Sequence, residues 1–241
     1  MQEMVRSGMR VMAVGAHPDD IEFLCAGTLA KYVERGDQVF NVVCTNGNMG
    51  SIVIPPDELA EIRTEEARKA AETIGAEFLM IGEDDEWLFH DKRTRTLIID
   101  AIRWADPDVI ITHSPDDYHP DHRNASELVF AASFLSTVPH IETEHGSQDH
   151  IAAILYMDTV AATNFIPELY VDITKTFEKK REALLCHQSQ VQWMMDHDNM
   201  DVGEFIEVVA RTRGHQCGVK YAEGFQTAKL WPRLRTERIL P

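Results

Sequence analysis

The strongest constraint on how this chain can fold is an alternation along its length. Short apolar runs at 10–15, 38–44, 77–81, 108–112 and 151–157, with a later one near 169–173, are separated by amphipathic stretches of helical length. Such alternation is the pattern of βαβ units, which need a mostly parallel sheet covered by helices on both faces. The spacing therefore predicts a Rossmann-like three-layer α/β/α sandwich. Helices are expected from Phe23 to Arg35, closed by Gly36, and from Pro56 to Ile74, closed by Gly75, because glycine accepts the left-handed conformation that ends a helix. Further helices are expected at 93–104, 122–136, 174–188 and 201–213, and the polar segment 139–150, with three histidines, reads as a loop. No linker, repeat or low-complexity tract divides the chain, so residues 1–241 are expected to form one domain.

Two of the apolar runs end in chemistry. The run Val11-Met12-Ala13-Val14-Gly15 is followed at once by Ala16-His17-Pro18-Asp19-Asp20, and the run Val109-Ile110-Ile111-Thr112 leads into His119-Pro120-Asp121-His122. In open α/β sheets ligands bind outside the carboxyl ends of the strands, so both segments are delivered to one crevice. Catalytic zinc takes three protein ligands of imidazole and carboxylate type and keeps one position open, a set that His17, Asp20 and His122 would supply. Asp19 is then free to act as general base toward a water on the metal. His119, one turn before His122, would face the same cavity and, as an imidazolium held charged by a carboxylate such as Asp121, stabilise an oxyanion. That role requires a pKa above the free value of about 6.5.

Composition narrows the partners. A formal charge of −17 excludes nucleic acid and anionic membrane as natural partners, since both repel an acidic surface, and leaves a small molecule. The first ten residues, MQEMVRSGMR, hold no apolar stretch fit for a signal peptide, and no run reaches the roughly 18 apolar residues of a membrane helix. Cys25, Cys44, Cys186 and Cys217 are scattered, which fits free thiols in a reducing cytoplasm. No G-x-G-x-x-G follows the first strand, which argues against a dinucleotide enzyme.

With these residues in view, the chain resembles a known family. The stretch RVMAVGAHPDDIEFLCAGTLAKY, the HPDHRNA segment at 119–125, VDITKTFEKKREALLCHQSQ at 171–190 and GVKYAEGFQ at 218–226 together are similar to the zinc-dependent N-acetylglucosamine deacetylases called PIG-L or LmbE-like. The resemblance implies Zn²⁺ held by His17, Asp20 and His122, Asp19 as base and His119 as oxyanion-stabilising residue. It also implies an arginine in the helix after the second strand, here Arg63, in contact with substrate or the tetrahedral intermediate. Tyr118 and Glu223 would be further substrate-binding wall residues. The implied reaction releases acetate and an amino sugar from an N-acetylated sugar. TNGNMGS and PDELAEIR resemble diacetylchitobiose deacetylases, while the YAEGF ending and the length resemble the N-acetylglucosaminyl-malate deacetylase of the bacillithiol pathway. The family resemblance also implies a homo-oligomer, a trimer or hexamer.

Each assignment has a plainer rival. His17 could be a turn histidine and Asp19-Asp20 a helix cap. Arg63 could lie on a solvated helix face paired with Glu66, and Asp121 is expected to orient its neighbours. His113, His187, His140, His145 and His150 are read as polar or loop residues and not as a second metal site. At the level of function, the rivals are a zinc amidase acting on a non-sugar amide or thiol conjugate, and a non-catalytic sugar-binding α/β protein. Metal content separates the binder from the enzymes, and a substrate screen separates the amidase from the deacetylase.

Overall fold

The computed structural model of the protein describes residues 8–232 together with 240 and 241. The amino-terminal stretch read above as lacking a leader falls, through residue 7, outside the described residues. The chain runs β1 (Arg10–Gly15), α1 (Asp20–Leu24), α2 (Ala26–Arg35), β2 (Gln38–Thr45), α3 (Pro56–Ile74), β3 (Glu77–Glu83), α4 (Lys92–Ala105), β4 (Val109–Thr112) and α5 (Pro120–Leu135). It continues through β5 (Ala153–Met157), β6 (Leu169–Asp172), α6 (Phe177–Leu184), α7 (Gln188–Asp198), α8 (Val202–Cys217) and β7 (Ala222–Thr227). These strands form one sheet in the order β3-β2-β1-β4-β5-β7-β6. The first five pair in parallel, and β7 runs antiparallel to both β5 and β6.

Alternation along the buried strands builds two cores. Val11 and Ala13 of β1 face a cluster completed by α1, α2, α3, α6 and α8, whereas Met12 and Val14 face one completed by α4 and α5. The sheet is therefore covered on both faces, and the expected three-layer α/β/α sandwich is the observed fold. Gly36 and Gly75 end α2 and α3 at φ +93° in both cases, a conformation that a Cβ would strain.

Three local expectations differ from the structure. The helix expected over 23–35 is two helices, broken at Cys25 with φ −144°, so that α1 starts directly on the His17–Asp20 turn. Residues 174–188 end their helix at Leu184, and a separate helix α7 follows. Strand β7 went unseen because AEGFQT carries little apolar character; its burial comes from lying between two neighbouring strands. No helix among the described residues is long and apolar enough to cross a membrane.

The sheet order fixes where a ligand can sit. From β1 the chain builds outward to β2 and β3 on one side and returns to β4 and β5 on the other. The crevice where the order reverses opens between the carboxyl ends of β1 and β4, where such sheets bind ligands.

Candidate metal centre and active-site cleft

The loops after β1, β3, β4 and β5, together with α1, α3, α5 and α7, surround a cleft of about 190 Å³ lined by His17, Asp19, Asp20, Arg63, Tyr118, His119 and His122 among others. Of the sequence-selected site residues, only Glu223 lies elsewhere. Nδ1 of His17 lies 3.2 Å from Nε2 of His122 and 3.4 Å from one oxygen of Asp20, whose other oxygen is 3.2 Å from His122 Nε2. Two imidazole nitrogens and the two oxygens of one carboxylate thus lie side by side, each nitrogen nearest a different oxygen. A tetrahedral zinc with ligand bonds of roughly 2.0–2.1 Å needs donor atoms about 3.3–3.4 Å apart, so the residues present fit three corners of that geometry.

Each of these side chains is oriented from behind. His122 Nδ1 lies 3.1 Å from Asp117 Oδ1, and His17 Nε2 lies 3.2 Å from Asp85 Oδ1 and 3.4 Å from Asp121 Oδ2. Carboxylates behind metal-binding imidazoles fix ring orientation and raise basicity. Asp121 thus orients a neighbour, but that neighbour is His17 and not His119. Asp20 is held by the backbone N–H of His17 at 2.7 Å and by His113 Nε2 at 3.1 Å. Asp85, Asp117 and His113 were not singled out as site residues, because nothing in their local sequence separates them from ordinary loop residues.

The electrostatics of the cleft favour positive charge at its centre. Burial opposes ionisation of His122, yet Asp20 and Asp117 raise its pKa to about 9, and carboxylates led by Asp20 hold His17 well above its usual value. Asp20 is held well below the carboxylate range: burial works against this, but His122, His113 and His17 prevail. The two basic imidazoles and the ionised carboxylate are the states of these side chains that suit a bound cation once the imidazole protons leave.

Asp19 sits differently. Its φ of 115° is a conformation that non-glycine residues rarely adopt, and backbone strain of this kind clusters at functional sites. Burial drives its pKa up to about 6, against the pull of Arg63, whose Nη2 is 3.2 Å from Asp19 Oδ2. Arg63 is itself 4% exposed and donates to the carbonyls of Pro18 at 2.6 Å and Gly47 at 3.1 Å. A Cβ on Gly47 or Gly50 would lie within 2.7 Å of that guanidinium, so the glycines of TNGNMGS let the loop wrap it closely. The solvated-face alternative for Arg63 does not hold, and Glu66 instead accepts from the backbone N–H and hydroxyl of Ser189 at the start of α7. Beneath Asp19, buried His187 meets Glu22 at 3.1 Å and adds to the pull on Asp19.

The expected charge state of His119 needs correction. His119 caps the amino end of α5, where its Nδ1 accepts from the Asp121 N–H at 3.2 Å, leaving the proton on Nε2. Burial and the positive charge at His17 and His122 lower its pKa, and Glu86, 3.4 Å from Nε2, does not reverse this. The helix terminus acts in the same direction. The ring is thus a neutral Nε2–H donor.

Glu223 is the second correction. Its carboxylate accepts from the backbone N–H groups of Gly27 and Thr28 at 3.0 and 2.7 Å and from Lys180 Nζ at 2.6 Å. A buried carboxylate with these partners closes the amino end of α2 against β7 and does not line the cleft. Tyr118, by contrast, does reach the cleft and is 64% exposed. The loop histidines lie away from it: His145 pairs with Asp100, and His150 contacts Asp149 and the carbonyl of Pro107.

Comparison with known proteins places the chain in a family. The pattern of the PIG-L family, described as GlcNAc-PI de-N-acetylase, matches residues 12–133. The chain belongs to that family. It is 28% identical over 228 residues to a diacetylchitobiose deacetylase of Thermococcus kodakarensis, covering 90% of this chain and 82% of that protein. It is likewise 28% identical over 247 residues to a 4-oxalmesaconate hydratase of Pseudomonas putida, covering 92% and 90%. Among solved structures, the N,N′-diacetylchitobiose deacetylase from Pyrococcus horikoshii superposes with a TM-score of 0.79 at 26% identity, covering 94% of this chain and 86% of that one.

Proposed function

We propose that the protein is a zinc-dependent hydrolase that removes the acetyl group from an N-acetylglucosamine-type sugar or glycoside, giving acetate and an amino sugar. The observation that carries the reading is the convergence of His17, Asp20 and His122 at donor spacings of 3.2–3.4 Å beside Asp19 and His119. Zinc held by these three residues would supply Lewis acidity toward an acetamide carbonyl and toward water. Asp19 takes the proton of the attacking water and passes it to the amine nitrogen as the C–N bond breaks, so one carboxylate serves in both directions. A pKa of about 6 suits that duty, since the group gives back what it takes near neutrality. His119 donates from Nε2 to the oxygen on which charge develops. Arg63 orients Asp19 and Tyr118 flanks the sugar.

The chain is further proposed to act as one domain in the cytoplasm, supported by its single continuous sheet and four free cysteines. A homo-oligomer is supported by the apolar surface that includes Phe130, Phe134 and Trp231, and light scattering would give its mass. The deciding experiment combines metal analysis with acetate release. About one equivalent of zinc and acetate from an N-acetylglucosaminide support the reading, while a metal-free, inactive protein purified without chelator overturns it. Replacement of His122 by Ala is expected to lower both together.

A further inference from the structure

Resting on the deacetylase reading, we propose that the substrate is a neutral glycoside, with an uncharged second unit at the cleft mouth, and that an aglycone bearing carboxylates is rejected. At about 190 Å³ the cleft is smaller than the roughly 300–1,000 Å³ of pockets that engulf drug-sized ligands. It holds one small unit, and the rest of a glycoside must lie over the rim. The charge around that unit is negative. Asp19, Asp20, Asp85 and Glu86 line the cleft; with His17 and His122 uncharged as metal ligands and His119 neutral, Arg63 is the side-chain cation among the lining residues, and it is committed to Asp19 and to the carbonyls of Pro18 and Gly47. A divalent ion together with Arg63 still falls one charge short of these four carboxylates.

Glu86 is the one that meets an incoming aglycone. Its side chain is 53% exposed, and its backbone holds a left-handed φ of 67°. Beyond the imidazoles of His17, His119 and His122 at its floor, the rest of the lining is apolar or aromatic: Phe23, Val160, Met194, Met200 and Tyr118. Aromatic rings and thioethers suit the C–H faces of a neutral sugar, whose hydroxyls can donate to Glu86. A carboxylate at the same position meets a like charge and finds no free cation among the described lining residues.

Acetate release from N,N′-diacetylchitobiose and from N-acetylglucosaminyl malate, compared on the zinc-loaded protein, tests this. The malate glycoside is expected to show kcat/KM lower by about tenfold or more, since like charges set together oppose binding. The deficit should shrink as salt rises from roughly 0.05 to 0.5 M, while the neutral substrate is unaffected. Glu86→Lys should narrow the ratio with zinc content unchanged. Acetate from both glycosides, with the malate form equal or better and insensitive to salt, overturns this inference and leaves the deacetylase reading standing. Acetate from neither overturns both.

Discussion

Arg63 connects structure to a measurable pH profile. In the proposed mechanism Asp19 must be ionised, so activity falls as pH drops through its pKa, and anything that raises that pKa moves the acidic limb upward. Burial already brings the group to about 6 and Arg63 is the largest opposing influence. The two side chains are 4% and 9% exposed and 3.2 Å apart, so solvent screens the pair little. An arginine beside a carboxylate lowers its pKa by about 1–3 units, and replacing Arg63 with Met should shift the acidic limb of kcat/KM upward by about that amount. A two-unit shift would leave about 1% of Asp19 ionised at pH 6 where about half was before, a loss of roughly fiftyfold at that pH that recovers toward pH 9. Bound zinc lowers the starting value and the shifted one together, so the difference between the two profiles is the test. Breaking a buried pair costs about 3–5 kcal/mol, but Asp19 can take up a proton and cap that penalty, and thermal melting will confirm a folded variant. Arg63→Lys keeps the charge and should shift the limb less. The reasoning is refuted if Arg63→Met keeps its zinc and its acidic limb while activity drops evenly at all pH values, since Arg63 would then act on the substrate alone.

Three further outcomes are expected. His119→Ala should lower kcat by about 10²–10³, as loss of one oxyanion donor does, without moving either limb of the profile; a basic limb that vanishes with the imidazole would restore the imidazolium role. Asp19→Gly and Asp19→Ala both remove the carboxylate, but only Gly relieves the φ of 115°. Gly should therefore be the more stable by about 1–2 kcal/mol, which in a chain of this size is a melting difference of about 2–8 °C, and equal melting would show that the residue is unstrained. Lys180→Met leaves Glu223 buried against α2 without its cation and should destabilise the fold by about 3–5 kcal/mol in denaturant titration, whereas a Glu223→Gln variant still folded should keep its KM; a raised KM would return Glu223 to the substrate wall.

What the sequence revealed, and what it hid, follows from the range of the interactions. The parallel sheet was legible because β1, β2 and β4 are buried on both faces, so burial writes itself as continuous apolar runs. The cleft residues His17, Asp19 and Asp20 were legible because they follow at once on an apolar run, and His119 and His122 because they come within ten residues of another, where periodicity breaks off and polar residues begin. Helix α7 was not, since it is short and polar at both ends and only Gln190 is buried, with Val191 and Met194 packing partly against the core. Nor were Asp85, Asp117 and His113, whose meaning lies entirely in side chains from other parts of the chain that they meet.

The protonation state of His119 was hidden for a different reason. Sequence places a histidine beside an acidic neighbour and suggests a charged pair, yet adjacency along the chain put Asp121 at the first turn of α5, where its backbone N–H, not its carboxylate, addresses the imidazole. The same helix geometry sends the Asp121 side chain to His17, 3.4 Å away. One residue therefore fixes the tautomer of His119, the proposed oxyanion donor, through its main chain and lies against His17, a proposed metal ligand, through its side chain. Substituting Asp121 by Asn should consequently weaken zinc affinity through the altered partner of His17, by the roughly 10–100-fold typical of such outer partners, while leaving the His119 tautomer intact because the N–H remains. Competition with a chelating dye measures the first effect. Unchanged zinc affinity would refute the assignment of Asp121 to His17.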